Sequence, residues 1–164
     1  MSALDGLLLA WDRQQAMILD LFDVVTDDQV GLRAHEARMT VGEHFQHIAQ
    51  VRMYWLGQIY GKHPEMQAAH PLPRLSFDGG RPALRQALEQ SSSTVRAFLE
   101  RAIAGGQDAA PYDDPVLYFG HMLWHEGWHV GQIDLALERG GAEISEEWAE
   151  HALWERWRGV EEWE

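Results

Sequence analysis

Five of the nine histidines in this sequence fall in two short stretches, His44 and His47 in one and His121, His125 and His129 in the other. In an α-helix, side chains four positions apart leave the same face one turn apart, so His125 and His129 can offer two imidazoles to one metal ion. A third ligand must come from another segment. His47 is the choice, because it continues a stripe through Val51 and Tyr54 that is expected to face inward, whereas His44 lies about 60° around the helix. Three neutral imidazoles suit zinc or nickel, and also iron, manganese or copper. Without a fourth strong ligand, such a set leaves coordination positions for water or substrate, the layout of a reactive centre rather than a closed structural one. Histidines also occur in helical proteins as hydrogen-bonded core residues, so convergence of the three ring nitrogens is the test.

The run His125-Glu126-Gly127-Trp128-His129 also spells His-Glu-x-x-His, the helical zinc motif of metallopeptidases, in which the glutamate polarises water. The extended form of that motif fails here, since Gln132 stands where a glycine is required, and no strand-rich segment is evident to hold a peptide. A peptidase would need a downstream third ligand such as Glu147. Glu126 is kept as the candidate catalytic carboxylate, and Glu43 is a weaker one with a capping role of its own. His44 and His121 flank the triad at one-turn spacing and are expected to line the pocket or hydrogen-bond without ligating. Tyr54, Trp55, Trp128 and Gln132 complete the pocket candidates, although aromatic residues on an inner helical face usually serve the core.

Composition narrows the partners. A formal charge of -13 repels phosphate backbones and anionic lipid heads, and no cluster of Lys and Arg offsets it locally, so neither nucleic acid nor a membrane is expected. There is no cysteine, which rules out disulfides, thiolate ligands and a cysteine nucleophile. The opening residues MSALDGLLLAWDRQQ carry no basic leader, so no secretory signal is expected and a cytoplasmic location follows by default. Of the eight tryptophans, Trp148, Trp154, Trp157 and Trp163 fall near the end, in a segment expected to dock on its own domain.

The elements that must position the histidines are helices. Apolar residues recur at three-and-four spacing, and sustained alternation is missing, so the fold class is all-α. The first helix spans about 4–25, with Leu8, Trp11, Ile18 and Phe22 on a stripe whose one polar member is Gln15. Thr40 caps the second, with Glu43 completing a capping box; it runs to about residue 60, where Gly61 and Pro64 stop it, and its inner stripe reads His44, His47, Ile48, Val51, Tyr54, Trp55 and Gln58. The third spans about 82–104, and the fourth opens at Asp114-Pro115 and ends before Gly140 and Gly141. Ser145 caps a short fifth helix. Four long helices imply a four-helix bundle in a single domain covering 1–164. The long connection over 61–78 is able to cross the bundle and leave the second and third long helices parallel.

The segments Thr40-Val41-Gly42-Glu43-His44-Phe45-Gln46-His47-Ile48-Ala49 and His125-Glu126-Gly127-Trp128-His129-Val130-Gly131-Gln132-Ile133 resemble those of the DinB-like, YfiT-related metalloproteins. The similarity extends over nearly the whole chain, through Arg139-Gly140-Gly141. The resemblance implies an up-down-down-up bundle, a three-histidine site for nickel or zinc that falls by position on His47, His125 and His129, and often a homodimer. It implies Gly131 and Gln132 as motif residues, Gly131 permitting close helix approach and Gln132 a hydrogen bond near the site, unless both only pack. It further implies thiol-dependent transferases and isomerases that activate a low-molecular-weight thiol on the metal. With no cysteine of its own, this chain would take such a thiol as cosubstrate with a small-molecule substrate; a hydrolase, or a non-catalytic metal-binding, stress-related dimer, are the competing expectations.

Overall fold

The computed structural model describes residues 1–158, so Trp163 lies outside the described residues. Six α-helices follow in order: α1 (Ala3–Val24), α2 (Val41–Lys62), α3 (Pro64–Ala69), α4 (Arg81–Gly105), α5 (Pro115–Arg139) and α6 (Glu146–Ala149). A π-helical turn (Glu150–Trp154) and a 3-10 turn (Glu155–Trp157) come after them. The protein is all-helical, with no named strand among the described residues.

Local chemistry sets the ends. The Thr40 hydroxyl accepts from the Glu43 N–H while the Glu43 carboxylate accepts from the Thr40 N–H, a reciprocal box that satisfies two free donors at the start of α2. The Asp114 carboxylate accepts from the Val116 N–H at 2.7 Å, and Pro115, which has no N–H to satisfy, sits at the first position of α5. Gly106 ends α4 in the left-handed region at φ 59°. Pro64 does not merely stop α2; it opens α3, because a proline at the first turn loses no hydrogen bond.

Contacts between the long helices fix how they lie. Along α1 and α4 the pairings run in opposite senses: Trp11 Nε1 donates to the Ser92 carbonyl, and Arg85 pairs with Asp23. Along α2 and α4 they rise together, Arg52 donating to the Leu88 carbonyl and Arg101 to the Tyr60 hydroxyl. Along α2 and α5 they oppose, His44 meeting His129 and Arg52 meeting Glu126. The C-terminal turns lie against α1, where Arg156 pairs with Asp20.

Two apolar clusters fill the interior. One gathers Trp11, Leu56, Ile59, Phe98, Tyr118 and Met122, and the other Ile18, Phe22, Phe45, Ile48, Leu88 and Ile133. Along each long helix the residues between them are polar and buried: Gln14, Arg52, Ser91 with Ser92, and Glu126. This polar layer makes α2 turn differently from the expected stripe. Its inner face is Phe45, Ile48, Ala49, Arg52, Leu56 and Ile59, while Gln58 is exposed and Tyr54 is 58% exposed. A charged residue normally argues for the outside of a helix; here Arg52 finds a buried carboxylate, and the stripe rotates to include it. On α1, likewise, the fully buried glutamine is Gln14, and Gln15 is half-buried.

Candidate metal centre

Helix α2 contributes His47, and α5 contributes His125 and His129 from successive turns of one face. One ring nitrogen from each lies within 4.8 Å of the others. His125 Nε2 and His129 Nε2 are 3.0 Å apart. Two nitrogens each bonded to one ion at about 2.0–2.1 Å stand roughly 3 Å apart. The ring centres agree, at 4.8 Å for His47 with His129 and 5.4 Å for His47 with His125.

His44 is buried beside this set without being part of it, its Nδ1 2.7 Å from His129 Nδ1. A neutral imidazole carries one N–H, so the tautomers along this line are linked. If His129 Nε2 is left free to ligate, its Nδ1–H donates to His44 Nδ1, and the His44 proton sits on Nε2, a buried atom without a partner among the described residues. Orienting contacts of this kind are what histidine ligands ordinarily have.

The rings are held neutral. Burial is the main cause for all four: it lowers His44, with His47 adding to the effect, and it lowers His47 alone. His125 drops to about 4, with His47, His121 and Arg52 contributing after burial. His129 drops to about 3, with His125, His44 and His47 contributing after burial. A ligand must offer a lone pair, and His125 and His129 do so well below neutral pH. Stability carries the same signature. An unfolded chain protonates its histidines near 6.5, whereas the folded rings resist down to about 4 and 3. Over that window the unfolded state binds more protons, so stability is full above about 6.5 and falls as pH drops toward 4. Urea unfolding with chelator present should therefore give a lower midpoint at pH 5 than at pH 7.5. The difference should shrink in His129→Leu, and an equal shift in that variant would assign the effect elsewhere.

The other sequence-derived candidates are spread around the triad. The Tyr112 hydroxyl and His121 Nδ1 are in hydrogen-bond contact at 2.7 Å, and burial pushes the Tyr112 phenol up to about 12. Trp55 packs on both rings, 5.6 Å from Tyr112 and 5.4 Å from His121. Trp128 lies edge-on to His129 at 4.8 Å and is 44% exposed, a rim residue rather than a core one. Tyr54 touches Trp55 from the solvent side. Gln132 is half-buried, and Gly131 faces open space, so no helix approaches it closely among the described residues. Glu126 points away from solvent: it is 0% exposed and accepts from Arg52 Nε at 2.6 Å and from Gln14 Nε2 at 3.4 Å.

Sequence reasoning missed Arg52, Gln14 and Tyr112. Arg52 and Glu126 had a signal: opposite charges, each interrupting an otherwise apolar stripe on a different helix. Tyr112 had none, because the loop before α5 carries it to His121.

An all-helical protein whose second and last long helices converge on three neutral imidazoles belongs to the class of helical proteins with a histidine site able to hold a metal. A family model described as the DinB superfamily matches residues 10–133. The chain belongs to that superfamily. No curated protein and no solved structure matches it. Among the described residues, no helix is long and apolar enough to cross a membrane.

Proposed function

We propose that this chain is a metal-dependent DinB protein in which His47, His125 and His129 hold one divalent transition ion, zinc or nickel, for thiol transfer or hydrolysis on a small molecule. The observation that carries the reading is the convergence of three ring nitrogens from two helices within 4.8 Å. When bound, such an ion supplies Lewis acidity that favours deprotonation of a coordinated thiol or water. The chain's own residues would do the rest. His44 orients His129 through the Nδ1 contact; Trp55, His121 and Tyr112 form a half-buried polar and aromatic wall beside His125. An up-down-down-up four-helix bundle is part of the same reading, supported by the opposed pairings of α1 with α4 and of α2 with α5, and the concerted pairing of α2 with α4. A homodimer acting in the cytoplasm completes it, supported by the family membership and the absence of a spanning helix among the described residues.

The peptidase alternative loses ground on Glu126, whose carboxylate is buried in contacts with Arg52 and Gln14 rather than free to polarise water. Elemental analysis of purified protein, followed by thermal-shift assays with low-molecular-weight thiols in the presence and absence of metal, tests the proposal. Stabilisation by one thiol only when metal is present supports thiol transfer. Metal binding without a response to thiols or hydrolysable substrates supports a non-catalytic protein, and iron, manganese or copper in place of zinc or nickel corrects the ion. His44→Phe keeps an aromatic ring and removes the Nδ1 contact; metal affinity should fall about 10–100-fold, as for other partners that orient a ligand, by competition with a chromogenic chelator. An unchanged affinity would remove His44 from the site.

A further inference from the structure

Two buried charges stand outside the chemistry proposed above. Arg52 and Glu126 are both 0% exposed and meet at 2.6 Å, yet neither belongs to the imidazole cluster. Their contacts reach all four long helices. From α2, Arg52 donates to the Leu88 carbonyl at 3.0 Å and to the Ser91 hydroxyl at 3.3 Å on α4, and its guanidinium lies 5.1 Å from the Trp11 ring centre on α1. From α5, Glu126 also accepts from Gln14 on α1.

Stability alone does not explain such a pair. Replacing a buried ion pair by apolar residues of similar volume is often neutral or stabilising, so an apolar layer would hold the helices together as well. Direction is what the pair adds. Apolar packing tolerates small rotations and slides, whereas a guanidinium fork with fixed acceptors on neighbouring helices does not. Its placement is specific: Glu126 sits between His125 and His129 in sequence, and Arg52 lies just beyond His47 on α2. A slide of α5 along α2 that carried His125 and His129 away from His47 would also pull Glu126 from Arg52.

We infer that Arg52 and Glu126 are a positioning pair, fixing the rotation and axial placement of α5 against α2 so that His125 and His129 meet His47. The inference rests on the metal-centre reading above, and its test separates the two. In the full-length protein, the Arg52→Met/Glu126→Met double variant removes both charges while keeping volume. Cobalt(II) serves as the metal probe. The expected result is a thermal midpoint close to that of the unaltered protein, a 10–100-fold weaker cobalt affinity and an altered visible cobalt spectrum. A folded double variant with unchanged affinity and spectrum overturns the inference.

Should the double variant not fold, Arg52→Lys takes its place, keeping the charge and losing the fork. It should weaken cobalt binding and shift the spectrum, and no change in either is again a refutation. Long-range proton–nitrogen spectra of the histidine rings in metal-free protein supply the independent readout. The unaltered protein should show a distinct tautomer pattern for His44, His129 and His125 that is lost in the variant; a retained pattern counts against positioning. If the unaltered protein binds no cobalt, the metal reading fails, and the ring spectra still decide whether the pair arranges the imidazoles.

Discussion

The His129→Ala variant is expected to lose divalent-metal binding altogether at micromolar concentrations. His129 has two functions in the cluster: its Nε2 faces His125 Nε2 at 3.0 Å, and its Nδ1 faces His44 at 2.7 Å. Removing the ring deletes one of three ligands and frees His44, so the loss should exceed the roughly 10–100-fold attached to orienting partners alone. His125→Ala should behave similarly, because the two rings leave one face of α5. Gln132→Ala, which removes a half-buried amide outside the cluster, should leave metal content near one ion per chain. Elemental analysis of the three purified variants checks the ordering, and undiminished metal in His129→Ala would dismantle the proposed centre.

The largest effect on stability is expected from breaking the buried ion pair on one side only. In Arg52→Ala the Glu126 carboxylate, 0% exposed in the unaltered protein, loses its 2.6 Å partner, leaving the Gln14 amide as its remaining contact. Stranding one charge of a buried pair costs about 3–5 kcal/mol, the desolvation of the survivor being uncompensated. For a chain of this length each kcal/mol lowers the midpoint by roughly 2–4 °C, so a fall on the order of 10 °C is expected by calorimetry. The Arg52→Met/Glu126→Met variant strands no charge, leaving only the neutral Gln14 amide without its acceptor, and should fall far less. Equal losses in the two would mean that the site tolerates an unpaired carboxylate, contrary to its burial.

Those two experiments probe parts of the molecule that were unequally legible in the sequence. Helix ends read well because they depend on local chemistry: Thr40 with Glu43, and Asp114 with Pro115, do in the fold what their types do in any helix start. The pairing of His125 and His129 was readable from their four-residue spacing, whereas His47 was reached through a stripe with Val51 and Tyr54 that the fold turns outward at Tyr54. The rotation of α2 was not readable. Its true inner face contains Arg52, and a pattern that sorts residues by hydropathy places an arginine outside and then draws Tyr54 and Gln58 inward to fill the stripe. Only the partner on α5, 74 positions away, shows that the charge is compensated. Pro64 failed for a related reason: proline ends one helix and begins another with the same ring, and the residues on its C-terminal side decide between the two.

The same long-range pair bears on how the chain assembles. A partial structure of α1, α2 and α4 would hold the Arg52 guanidinium, with its Leu88 and Ser91 acceptors, without the carboxylate that pairs with it. Such an intermediate carries a partly buried cation with no counter-charge, while α5 docked elsewhere would bring an unpaired anion, so the pair favours the complete fold over either. Closure of the three earlier helices and arrival of the last are thereby coupled into one cooperative step, so unfolding should be all-or-none, with helical and tryptophan signals lost together.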